Sequence, residues 1–238
     1  MISAAAVRRS SGLVIRTRLT SCLCVFVLAF FTLSCGSKLP RLREQLNDPD
    51  ADMRIAAIRG LMTVKDTASV LRIAELLRDS IPDVRKEAAT GLAIIGDPRA
   101  CQPLADLFDR EGREDIQGAA IRALVHLGAG SVQPLIGLLR SSRPAVRGGA
   151  ARALGRLKAR EAVDPLIRLL HDPYPEAKQG AIHALRQIGD ERGLDAIASM
   201  VQDTDPDIEG AAERALSGEG YQEQLDKARR KIRQLPYP

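Results

Sequence analysis

The sequence predicts an all-α fold: an α-solenoid of about six stacked helical hairpins, closed by a C-terminal capping helix. Three observations predict it. One leucine recurs at Leu61, Leu92, Leu124, Leu154, Leu185 and Leu216, at spacings of 31, 32, 30, 31 and 31 residues. An alanine stands four residues before each copy, at Ala57, Ala88, Ala120, Ala150, Ala181 and Ala212. The chain is 45% hydrophobic yet only 3% aromatic, with no Trp. A core without large rings is one of small aliphatic side chains, which lets helix axes come close.

Within each repeat, the positions eight and four residues before the leucine, the leucine itself and the position three after it fall on one helical face. These positions define the second helix of each hairpin. The eighth-before position holds Met53, Val84, Ile116, Val146, Ala177 and Ile208; the third-after position holds Val64, Ile95, Leu127, Leu157 and Ile188, and Glu219 breaks the series. The first helix ends fifteen residues before the leucine, at Leu46, Leu77, Leu139, Leu170 and Val201. Pro103, Pro134 and Pro165 fall in its first turn, where a missing N–H costs nothing. Gly96, Gly128, Gly189 and Gly220 follow the second helix as C-terminal stops. Such a unit buries little alone and much when stacked. In the third unit, residues 108–115 hold two extra residues, with Gln117 in place of the usual Arg; a bulge at the solenoid edge is expected. After Gly220, Tyr221, Leu225, Ala228, Ile232 and Leu235 share one face of a charged helix expected to cap the last hairpin.

The N-terminus follows a different rule. Residues 1–18 are basic and polar, residues 19–33 carry no charge, and small residues close the run at Ser34-Cys35-Gly36. That is the pattern of a secretory signal, and the apolar run is shorter than the ~20 residues of a spanning helix. Phe31-Thr32-Leu33-Ser34-Cys35 resembles the lipobox of bacterial lipoproteins, with Thr32 departing from the leucine favoured there. The resemblance implies a lipidated Cys35, cleavage before it and two acyl attachments, which together anchor stably. It implies a chain lipid-anchored in the cell envelope; in a Gram-negative host, Gly36 points to the outer membrane, facing the periplasm. Cys22 and Cys24 leave with the leader, so Cys101 has no intrachain partner and is expected to be a packing residue. The expected organisation is a signal peptide over 1–34, a lipidated tether over 35–38, the solenoid over 39–220 and the cap over 221–238.

Charge narrows the function. The chain carries 35 Lys and Arg against 30 Asp and Glu. Arg8, Arg9, Arg16 and Arg18 belong to the leader, leaving 31 against 30. A nearly neutral mature chain lacks the general drive toward nucleic acid, so no nucleic-acid partner is expected.

The pattern Asp-Pro-x-x-x-x-Arg/Lys followed by Ala-x-x-Ala-Leu-x-x-Ile-Gly resembles HEAT repeats, in particular the short kind of the phycobilin lyases. It is carried by Asp48-Pro49 with Arg54, by Asp172-Pro173 with Lys178, and by Val84-Arg85 with Ile95-Gly96. The resemblance spans residues 39–220 and implies a right-handed superhelix whose second helices line the concave side. It transfers no catalytic residue. His126, His171 and His183 lack metal-ligand spacing, and none is followed by the Glu of the di-iron deoxyhypusine hydroxylases. No metal, cofactor or catalysis is therefore expected.

Two polar series remain. Asp48/Arg54, Asp79/Arg85 and Asp172/Lys178 are expected to form structural ladders between repeats. Two residues before each leucine stand Arg59, Thr90, Arg122, Arg152, His183 and Arg214, turned ~200° from the core. Arg156 and Gly148 are expected to continue this ridge. The row reads either as a solvated face with local Glu partners or as a groove for an acidic peptide or other anion. The expected function is a membrane-anchored, non-catalytic scaffold binding a protein or peptide through Arg59, Arg122, Arg152, His183 and Arg214. Its alternatives are an enzyme built on the same repeats, resembling a phycobilin lyase or a hydroxylase, and a purely structural envelope protein.

Overall fold

The computed structural model describes residues 38–217 together with Tyr221, Glu223, Asp226 and Arg230. The expected leader, Cys35 and most of the expected cap lie outside the described residues. Tyr221 packs against the core of the solenoid, while Glu223, Asp226 and Arg230 are exposed.

Six hairpins are present, and the described residues contain no strand. Their first helices are α1 (Leu39–Gln45), α3 (Val70–Glu75), α5 (Cys101–Arg110), α7 (Val132–Leu138), α9 (Val163–Leu169) and α11 (Glu191–Ser199). Their second helices are α2 (Ala51–Thr63), α4 (Pro82–Ile95), α6 (Glu114–Leu127), α8 (Pro144–Arg156), α10 (Pro175–Ile188) and α12 (Pro206–Leu216). Pro82, Pro144, Pro175 and Pro206 open their helices at a position whose N–H would have no partner anyway.

The repeat leucines are fully buried in all six copies, and so are the alanines four residues before them. The first-helix ends Leu46, Leu77, Leu139, Leu170 and Val201 are buried too. Cys101 is buried and accepts a hydrogen bond from Ser131 Oγ at 3.4 Å. Val64 departs from its expected core role and is 41% exposed, because hairpin 1 is stacked on one side only among the described residues. Four residues after the first five leucines φ turns positive: +80° at Gly96, +70° at Gly128 and +72° at Gly189, and also +50° at Lys65 and +51° at Lys158.

Second helices approach their successors more closely than first helices do, which curves the stack toward the second-helix side. The approach is tightest between α8 and α10. A Cβ added to Gly148 would lie 2.5 Å from Glu176 O, and one added to Gly180 would lie 2.6 Å from Gly148 O. Gly148 is therefore buried under α10 and does not extend the exposed ridge, a correction to the sequence expectation; Arg156 is exposed as expected.

The ladder runs across repeats. Arg54 grips Asp79 of the next hairpin at 2.8 and 2.9 Å, while its Nη1 donates to the Asp48 and Pro49 carbonyls of its own turn. Arg85 does the same with Glu111, Arg147 with Asp172 and Lys178 with Asp203. Each acid also closes its own turn by accepting a backbone N–H two residues on, as Asp79 does from Ile81 and Asp172 from Tyr174. One carboxylate thus fixes the hairpin turn and binds the preceding hairpin. The six-residue pairs seen in the sequence are spacings within one copy; the ion pairs join neighbours.

The third hairpin differs from the bulge expected of it. Its additional length is absorbed in α5, which continues as α-helix to Arg110, whereas α3 and α11 finish in 3-10 turns. The turn at 111–113 then closes on Glu111, whose Oε1 accepts from Gly112 N and Arg113 N. Gln117 stands at the ladder position here and donates to Glu111 O at 2.6 Å, so no ion pair crosses from hairpin 3 to hairpin 4 at this rung.

Candidate functional site

The candidate face is the exposed side of the second helices. Two residues before a buried leucine, a helical side chain points away from the core, and Arg59, Thr90, Arg122, Arg152, His183 and Arg214 are all exposed. The structure aligns them one per hairpin and then separates them by their partners. Arg59 is held by Glu87 of the next hairpin at 2.8 Å, and that hydrogen bond, followed by the Glu87 charge, raises its guanidinium above the usual value. At hairpins 1 and 2 the row is thus a solvated face with a local Glu. Thr90 turns its hydroxyl back onto Lys86 O.

From hairpin 3 onward the row changes. Arg122, Arg152, His183 and Arg214 have no carboxylate partner among the described residues. The Arg122 guanidinium lies back over Gly118, and that of Arg214 over Gly210: a Cβ at either glycine would sit 3.0 Å from the Nη1. His126 and Arg156, four residues along from Arg122 and Arg152, are exposed beside them.

Between α10 and α12 the face forms a shallow groove of about 350 Å³ lined by Gln179, Ile182, His183, Arg186, Arg214 and neighbouring alanines. Arg186 was not singled out in the sequence. It donates from Nε to Ala215 O at 2.8 Å, satisfying a carbonyl near the end of α12 and holding the groove's floor. Its signal is its place one residue after the repeat leucine, where the other copies carry Met62, Ala93, Val125, Gly155 and Ser217.

The groove offers hydrogen-bond donors and positive charge. It offers no arrangement of nucleophile, base and orienting acid. Among the described residues, no three His, Cys, Asp or Glu side chains cluster to hold a metal ion.

HEAT repeats match residues 39–125 and 132–217, three hairpins in each block, and the chain belongs to that family. No curated protein is similar enough to count as a relative. Among solved structures, one on microtubule plus-end tracking by XMAP215, CLIP-170 and EB1 is 16% identical, with 79% of this chain and 89% of that one covered at a TM-score of 0.58. A designed armadillo repeat protein in complex with the peptide (KR)4 is 21% identical, covering 76% and 98%, at a TM-score of 0.45. The CpcE–CpcF phycocyanin lyase complex from Nostoc is 21% identical, covering 76% of each chain, also at 0.45. These likenesses concern the fold alone, which hosts unrelated functions.

Proposed function

We propose that this protein is a non-catalytic interaction scaffold, tethered in the cell envelope by a lipid on Cys35, that holds an acidic segment of a partner protein along its second-helix face. One observation carries the reading of the face. On four successive second helices, Arg122, Arg152, His183 and Arg214 stand exposed without a carboxylate partner among the described residues. The chain outside its leader is nearly neutral, so this concentration is local and meets an anionic partner favourably. Stacked helices lie ~8–10 Å apart, and a segment in the polyproline II conformation advances ~3.1 Å per residue with three residues per turn, so every third side chain points the same way. An acidic side chain at every third position therefore keeps step with the row. Support for the tether comes from the lipobox-like Phe31-Thr32-Leu33-Ser34-Cys35.

Crosslinking in cells followed by affinity capture tests the face. Arg122→Glu combined with Arg152→Glu should abolish capture of the partner and leave the melting temperature nearly unchanged, since exposed charges contribute little to stability. Capture by the native chain should weaken with salt. The same partner held by the double variant at the same, salt-independent affinity would refute the face. Cys35→Ala tests the tether: it should abolish metabolic fatty-acid labelling, and equal labelling of both chains would refute lipidation there.

A further inference from the structure

A second basic row lies on a different surface. Fourteen residues before each repeat leucine stand Asn47, Arg78, Arg110, Arg140, His171 and Gln202. The position ends or closely follows the first helix and immediately precedes the ladder acid, or Ser141 in the fourth copy, so the row occupies the turn edge of the stack. Its four central members are exposed. Arg78 and Arg140 have no hydrogen-bond or ion-pair partner among the described residues, His171 acts on Asp203 through its charge, and Arg110 donates to Leu77 O of the preceding hairpin at 2.8 Å. Of the nearby carboxylates, Asp79 is engaged with Arg54, Glu111 with Arg85, Asp172 with Arg147 and Asp203 with Lys178, while Asp106 accepts from Gln102 and acts on Arg110 through its charge.

The row members pair off across two clefts, one in each half of the solenoid. Arg78 and Arg110 line an open cleft of about 500 Å³ with Arg85, Asp79 and Glu111. Arg140 and His171 line one of about 340 Å³ with Arg168 and Asp172. In the first, counting Arg54 on Asp79 and the Asp106 charge that acts on Arg110, four guanidiniums face three carboxylates. In the second, Arg140 and Arg168 are uncompensated once Arg147 has taken Asp172. Burial, and next the charge of Arg78, push the Arg110 guanidinium below its usual value, with Asp106 and Glu111 acting the other way.

We propose that these two clefts are oxyanion sites that take a phosphate group, one between Arg78 and Arg110 and the other among Arg140, Arg168 and His171. The first cleft has a surplus of about one positive charge and the second about two, and in each a pair of arginines can share the three acceptor oxygens of a phosphate monoester, which carries about −1.5 to −2. A carboxylate carries one charge and is satisfied by a single guanidinium fork. The phosphate could arrive free or as a lipid headgroup. The clefts share no residue with the second-helix row, so this inference and the proposed function stand or fall separately.

Two arms test it on the full chain. In the first, inorganic phosphate is titrated against chloride at matched ionic strength while the ring signals of His126, His171 and His183 are followed by NMR, with the Nε–H signals of Arg78 and Arg110. The His171, Arg78 and Arg110 signals should move saturably, and those of His126 and His183 should barely move. Arg140→Gln with Arg168→Gln should reduce the His171 shift at least five-fold, and Arg78→Gln should do the same to the Arg110 shift. In the second arm, flotation with phosphatidic acid vesicles, whose headgroup is a phosphate monoester, is compared with phosphatidylcholine vesicles, for the full chain carrying Cys35→Ala to remove the acyl anchor and for the same chain with Arg78, Arg110, Arg140 and Arg168 also changed to Gln. Saturable phosphate shifts with unchanged flotation assign free phosphate. Loss of phosphatidic-acid-dependent flotation when the four arginines are changed assigns the headgroup. The inference is overturned if neither arm distinguishes the variants, or if the phosphate shifts persist in them or are equal at all three histidines.

Discussion

Gly118, Gly148 and Gly210 occupy one repeat position, six residues before the leucine, and the same substitution there should have opposite signs. A Cβ at Gly148 meets backbone: 2.5 Å to Glu176 O and 3.2 Å to its carbonyl carbon. A carbon settles no closer to a carbonyl oxygen than about 3.3 Å, so α8 and α10 must part by about 0.8 Å. That separation loosens the whole seam, including Gly180 on Gly148 and Gly155 on Ala184. Overpacking costs about 1–3 kcal/mol, against about 1 kcal/mol returned by replacing a mid-helix glycine with alanine. Gly148→Ala should therefore destabilise by up to about 2 kcal/mol. At Gly118 and Gly210 the added carbon meets only the mobile ends of Arg122 and Arg214, at 3.0 Å. These guanidiniums are exposed and can swing aside, so Gly118→Ala and Gly210→Ala should each stabilise by about 0.5–1 kcal/mol. For a fold of this size a kcal/mol moves the melting temperature by about 2–4 °C. Thermal melts of the three single variants should place one below the native chain and two above it. If Gly148→Ala melts with or above Gly118→Ala, the backbone contact between α8 and α10 is not what holds that seam.

Further substitutions probe the turns and the ladder. Lys65 and Lys158 sit at φ +50° and +51°, where a side chain costs about 1–2 kcal/mol; Lys65→Gly and Lys158→Gly should each stabilise by about 0.5–1 kcal/mol after glycine's extra unfolded-state freedom is deducted, read as a higher urea midpoint. Asp172→Ala leaves Arg147 buried without its acid, their side chains being 9% and 10% exposed, and should cost about 3 kcal/mol or more. Asp164→Ala removes an ion pair whose partners are both more than 60% exposed and should cost less than about 1 kcal/mol in the same melts. Acid should destabilise the fold in a stated window. The Lys178 hydrogen bond holds Asp203, and the Arg43 hydrogen bond holds Asp66, below the usual carboxylate value. Their folded values thus lie below their unfolded ones near ~4, so the contribution is complete above that point and drains as pH falls through the folded values. Urea midpoints should lose stability to these groups below pH ~4, and Asp203→Asn should flatten part of that fall.

The period of the fold was legible because a stacked hairpin must bury the same face in every copy: the leucine and alanine series name the core directly, and all twelve residues are buried. What period alone conceals is which neighbour a side chain reaches. Asp48 and Arg54 recur at a fixed spacing within one copy, yet the guanidinium pairs with Asp79 of the next. The same limit applies to the exposed row. Arg59 and Arg122 hold equivalent positions, and only the placement of Glu87 neutralises the first. Gly148 shares a position with Gly118, and only the close approach of α10 turns an open site into a buried one. The turn-edge row was hidden for a further reason: it has no hydrophobic period of its own and becomes a surface feature only when the turns are aligned.

The joint between hairpins 3 and 4 gives these differences a common setting. It is the one rung among the five where the charged pair is replaced, by Gln117 and Ser141. Here the ties run backward: Ser141 Oγ donates to Asp109 Oδ1 at 2.5 Å, and Arg143 donates to the carbonyls of Asp109 and Glu111. Phe108 packs where a side chain on Gly149 would sit, and α6 and α8 make the loosest contact between successive second helices. The two family matches meet across the same joint. Each of these hydrogen bonds has only one charged partner, and they and one aromatic ring fix the relative orientation of the hairpins less than a bidentate buried ion pair does. Any relative movement of the two three-hairpin blocks is therefore concentrated here. Arg122 stands on one side and Arg152 on the other, so a partner that bridges them also sets the angle between the blocks. The turn-edge clefts each lie wholly within one block and are insensitive to that angle. The long exposed row and the short clefts are thus suited to different ligands: one extended enough to cross the joint, the other small enough to ignore it.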